Sequence, residues 1–127
     1  EMFNAQGEPN VTTNHIAEHL AISPGNLYFH FRNKEEIVAE LFDRMCEDTY
    51  AVWQPADATM RAATPMDFIE ASFEVFFKYR FFHREMFHLR RKDPELAKKW
   101  RLHLRKTMRL LHGVYAHWAK AGVMKRI

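Results

Sequence analysis

Three helix starts crowd into VTTNHIAEHLAISPGNLYFHFRNKEEI, residues 11–37, and that crowding constrains the fold more than any other feature of the chain. Thr12 is an N-cap, and Val11 before it can staple onto Ile16. Ser23 repeats the device. It caps, Pro24 takes the first helical position where its missing N–H costs nothing, and Ile22 staples to Leu27. Asn33 caps a third helix, and Glu36 completes a capping-box pattern. The first two helices are therefore very short and joined by Ala-Ile-Ser, the helix-turn-helix pattern whose second helix can enter a DNA major groove.

Helical period continues through the rest of the chain, no stretch alternates with period two, and glycine and proline are scarce. The fold class is all-α. Residues 1–6 read as the tail of a helix closed by Gly7, its beginning absent. The helix after Asn33 buries Ile37, Val38, Leu41, Phe42, Met45 and Thr49 on one stripe and runs to about Trp53. Gln54 to Pro65 is linker-like, which suggests a head over residues 1–50 and a second helical part over residues 51–127. In that second part an aromatic helix begins near Pro65, and a short basic piece spans His83 to Arg91. A long helix then opens at Asp93-Pro94, with Ala97, Trp100, Leu104, Met108, Leu111, Tyr115 and Trp118 as its apolar stripe and Gly122 as its end.

On a helical wheel of about 100° per residue, Leu27 and Phe31 face the core, with Tyr28 at the margin. Gly25, Asn26, Phe29 and His30 face outward. Pro24 and Gly25 keep the helix start slim for close approach to a duplex, and its free N–H groups favour a phosphate. Asn26 can pair with adenine, and Phe29 can meet a thymine methyl. Tyr28, His30 and Lys34 stand where they can hold the phosphate backbone, and Ser23 caps the same helix.

The paired Thr12-Thr13, the Ile16-Ala17 pair, Leu27-Tyr28, His30-Phe31 and Lys34-Glu35 together resemble the DNA-binding region of the TetR family of bacterial transcriptional regulators, over about residues 11–42. The resemblance implies phosphate contacts from Thr13, Tyr28, His30 and Lys34, and base contacts from Asn14, Gly25 and Asn26. It also implies a larger helical domain that binds an inducer and forms a homodimer. Ala21 stands where the family usually has glycine, which costs about 1 kcal/mol if φ there is positive. The family's first helix usually begins before Glu1 and its last two helices would begin after Ile127, so the chain looks trimmed at both ends.

Other features point less sharply. Phenylalanines cluster between residues 68 and 87, and Phe73, Phe76, Phe77, Phe81, Phe87, Trp100 and Met108 are candidate walls for a small apolar or aromatic ligand, or simply core. Three bases face nine carboxylates through residue 50 and sixteen face seven thereafter, so the net charge of +3 splits into −6 and +9. The basic run RRKDPELAKKWRLHLRKTMR reads as a solvated helix face, or as one that attracts an anionic ligand or DNA phosphate. His15 and His19 are one turn apart, but no cysteine or acid joins them in a recognised pattern, and surface histidines are the expectation rather than a metal site. No catalytic residue and no cofactor are expected. Cys46 rules out an internal disulfide and suits a reducing cytoplasm, and its acidic neighbours Asp43, Glu47 and Asp48 would raise its pKa. No apolar run approaches the roughly 20 residues that span a bilayer, so no membrane partner is expected.

The function expected is a sequence-specific DNA-binding regulator, a repressor on a near-palindromic operator, with ligand uptake tilting the helix that starts near Lys34. Two rivals stand beside it. One is a metal-dependent helical-bundle enzyme. The other is a module that uses the basic second half on an acidic partner or membrane surface.

Overall fold

The computed structural model describes residues 1–53 and 64–123. Among them seven α-helices follow in chain order: α1 (Met2–Gln6), α2 (Thr13–His19), α3 (Pro24–His30), α4 (Lys34–Trp53), α5 (Pro65–Lys78), α6 (Arg80–Lys92) and α7 (Pro94–Lys120), with a 3-10 turn at Glu8–Asn10. The caps sit where side-chain chemistry puts them. Thr12 Oγ1 accepts the His15 N–H at 3.1 Å, and His15 Nδ1 accepts the Thr12 N–H at 3.3 Å, so a histidine does the usual work of Glu in a capping box. Ser23 Oγ accepts from Asn26 N–H at 3.0 Å, and Asn33 Oδ1 from Glu36 N–H at 2.9 Å. The Glu36 carboxylate reaches back to the Arg32 N–H instead of that of Asn33. Ala21 adopts a φ of 54°, so the turn keeps its left-handed residue without a glycine.

The linker expected over Gln54 to Pro65 lies, up to residue 63, outside the described residues. Thr64 and Asp67 then form a capping box at the start of α5. One buried cluster gathers Val11, Ala17 and Leu27 from the head, Phe42 and Met45 from α4, and Phe82, Met86, Leu89 and Leu96 from α6 and α7. A smaller cluster of Phe68, Val114 and Trp118 packs on Val52 and Trp53 at the far end of α4. α4 thus runs unbroken through residue 50 and contributes to both clusters.

Two features depart from the sequence pattern. The basic piece from His83 to Arg91 belongs to a helix, α6, separated from α5 by a break at Tyr79. Asn4 fills that break: its Nδ2 donates to Lys78 O at 2.7 Å and its Oδ1 accepts the Phe81 N–H at 3.1 Å. The α7 stripe is met only in part. Trp118 is buried and Trp100 packs on the core as expected, while Leu104, Met108 and Leu111 are exposed and Leu96, His103 and Val114 are buried. Apolar residues occupy more than one face of α7, so periodicity left its rotation open; Phe68 against Trp118 and Phe42 against His103 settled it.

Candidate nucleic-acid interface

α3 is seven residues long and buries Leu27 alone. Gly25, Asn26, Tyr28, Phe29 and His30 are exposed. Phe29 is 85% exposed, beside Tyr28 at 68%, and an apolar patch of that kind on so short a helix is the informative observation. A Cβ built on Gly25 would meet nothing within 4 Å, so internal packing does not call for glycine there; its missing side chain leaves room outside the protein. A groove of about 590 Å³ between α2 and α3 is lined by Thr13, Asn14, Gly25, Tyr28, Arg32 and Lys34. Asn26 and His30 are exposed on α3, and Ser23 is engaged as its cap.

Lys34 lines the groove but is engaged within the chain. Its Nζ donates to Glu8 O at 2.9 Å and Val11 O at 3.0 Å and meets Glu8 Oε1 at 3.0 Å. An ammonium has three N–H donors, and all three are occupied inside the protein. The carboxylate it neutralises is only 2% exposed and also draws Lys92 at 3.6 Å. Glu85 accepts the Glu8 backbone N–H, and Gly7, at a φ of 83°, lets that carboxylate come close; a Cβ there would stand 2.9 Å from it. Lys34 therefore ties the start of α4 to the turn before α2. Sequence reasoning passed over Arg32, which lines the same groove, is exposed, and has Glu36 no nearer than 3.9 Å from its Nε. The signal was available: Arg32 is the first base after α3.

Two family models divide the chain between them. One, "Bacterial regulatory proteins, tetR family", matches residues 1–41, and the other, "Bacterial transcriptional repressor", matches residues 42–127. This chain belongs to the TetR family. It is 40% identical to a TetR-family transcriptional regulator from Marinobacter aquaeolei VT8, whose crystal structure it matches with a TM-score of 0.85 over 99% of its own residues. The chain spans 63% of that protein's length.

The expected ligand walls of this TetR-family chain are not brought together. A cavity of about 290 Å³ lies where α4, α5, α6 and α7 meet, and of those residues Phe76 and Trp100 line it. Phe81 is core, 5.2 Å from the ring of Phe3. Phe73, Phe77, Phe87 and Met108 are exposed. α5 carries more aromatics than one face can bury, and Phe68 took the inward position. Missed by sequence reasoning are His83, His103 and Thr107, polar residues on the cavity wall whose helical positions gave no hint of a shared space. Cys46 and Tyr50 lie behind His103, and burial, more than Asp43, pushes the thiol up to about 11. Among the described residues no three His, Cys, Asp or Glu side chains are grouped to hold a metal ion, and none of the helices is long and apolar enough to cross a membrane.

Proposed function

We propose that this protein binds operator DNA as a symmetric homodimer, represses transcription in the cytoplasm, and leaves the operator when a small apolar or aromatic molecule enters its helical part. The observation that carries this reading is the open face of α3, where Gly25, Asn26, Tyr28, Phe29 and His30 all meet solvent. Asn26 and Asn14 read base edges, and Phe29 meets a thymine methyl. Thr13, Tyr28, His30 and the α3 N-terminus hold phosphates, with Arg32 as the cation in place of Lys34.

Family membership and exposed apolar faces support dimerisation and further packing. Met66, Ile69, Phe73 and Phe77 on α5, with Met108 on α7, are open in the single chain. Two heads in successive major grooves call for half-sites about 34–36 Å apart. The test is selection of duplexes from a random pool at stated salt. A near-palindrome at that spacing is expected, and a pool that comes through unenriched would overturn the reading.

A further inference from the structure

The cavity between α4, α5, α6 and α7 has a chemistry of its own, and its use as an effector site rests on the chain being the ligand-responsive regulator proposed above. Met45, Val52, Trp53, Val75, Phe76 and Trp100 supply apolar walls, and no Lys, Arg, Asp or Glu lines it among the described residues. Two of its hydroxyls are already satisfied within their own helices: Thr49 donates to Met45 O at 2.7 Å and Ser72 to Phe68 O at 2.6 Å. Thr107 Oγ1 is buried with no hydrogen-bond partner among the described residues. His83 stacks on Phe76 with ring centres 4.3 Å apart.

His103, 7% exposed, completes the set. Its Nδ1 lies 3.0 Å from the Tyr50 hydroxyl and 3.3 Å from Cys46 Sγ, both on α4. Burial pushes Tyr50 up to about 12 and Cys46 to about 11, so both keep their protons at neutral pH. The direction of these contacts follows the tautomer of His103: with Nδ1 as the acceptor they share, the ring's own proton sits on Nε2.

We propose that the cavity takes an uncharged, planar aromatic molecule bearing a hydrogen-bond acceptor, that His103 Nε2–H and the Thr107 hydroxyl hold that acceptor, and that His103 passes occupancy to α4 through Tyr50 and Cys46. An ion would lose its hydration with no counter-charge to replace it. At about 290 Å³ the space is at the small end for ligand pockets, and flat walls at Phe76 and Trp100 suit a flat occupant. A ligand that draws on His103 strains its bonds to Tyr50 and Cys46. Because α4 begins at Lys34, clamped to the head, a shift at Tyr50 is felt at α3. Release of DNA then measures the difference in ligand affinity between the two α4 positions.

Calorimetry of the protein with 2-naphthol, naphthalene-2-carboxylate and 2-naphthylmethylamine tests the chemistry. The naphthol should bind, and the two ions should bind about 100-fold more weakly. His103→Phe and Thr107→Val should each weaken the naphthol about tenfold and leave naphthalene unaffected. Failure of the naphthol to bind, or an ion binding as well, would overturn the proposal. Histidine 15N spectra of the unaltered protein give a check that needs no variant: the His103 proton should be on Nε2, and a proton on Nδ1 refutes the relay. Naphthol should also weaken duplex binding, with Tyr50→Phe abolishing that effect; naphthol binding that leaves duplex affinity untouched refutes the relay alone. A protein that takes the naphthol as described and binds no duplex upholds the pocket chemistry and refutes the DNA-binding reading instead.

Discussion

Lys34 and Arg32 show how two bases near one helix divide their work by what surrounds each. Lys34→Met leaves the Glu8 carboxylate buried with Lys92 as its nearest cation, and should cost about 3 kcal/mol in urea unfolding. Arg32→Ala should leave stability unchanged while flattening the salt dependence of duplex binding by a slope of about 0.9. Asn26→Ala should relax base preference at one operator position by about 1–3 kcal/mol, read out by repeating the duplex selection. Ala21 is a different case, legible in the sequence as alanine where a turn wants glycine. Its φ of 54° makes Ala21→Gly stabilising by up to about 1 kcal/mol in thermal unfolding. The internal bonds of Lys34 were not legible in the sequence because its partners are backbone carbonyls of residues 8 and 11, which no side-chain pattern announces.

At the scale of elements, start signals were legible and rotations were not. Thr12, Ser23, Asn33 and Asp93 each cap the helix that their chemistry announced, since a cap is a local hydrogen bond within three residues. The α5–α6 break at Tyr79 has no glycine or proline to mark it and depends on Asn4, far away in sequence. Asn4→Ala strips partners from Lys78 O and Phe81 N–H and should cost about 2–4 kcal/mol, measurable by denaturant unfolding with helix content monitored. α7 puts His103 and Thr107 on the cavity beside Leu104, and leaves Met108, expected on the buried face, exposed. Its apolar residues cover too much of the helix surface for period alone to choose.

At the scale of the whole molecule, α4 joins head and bundle, and its buried contacts make stability depend on pH. Burial, then the neighbouring His83, lowers the pKa of His103 below its ordinary 6.5. Between the lowered value and 6.5 the unfolded chain binds the proton and the folded chain does not. Stability is therefore full above about 6.5 and declines as the pH falls below it. Thermal unfolding between pH 7 and 5 should show that decline, and His103→Phe should remove its share of the slope. A melting temperature equally pH-dependent in that variant would assign the slope elsewhere.

Periodicity along the whole chain determined the all-helical class, and residues 11–37 by themselves determined the helix-turn-helix and the outward face of α3. Caps, staples and an amphipathic wheel act between neighbours in sequence, so no distant residue had to be known. Tertiary structure alone decided that Lys34 is a clamp, that Asn4 bridges two later helices, and that Phe81 is core while Phe73 and Phe77 are not. It also set His103 against Tyr50 and Cys46 at the edge of a cavity. Those outcomes are contests among surplus apolar residues and buried polar groups for a limited interior, and packing in three dimensions is what resolves them.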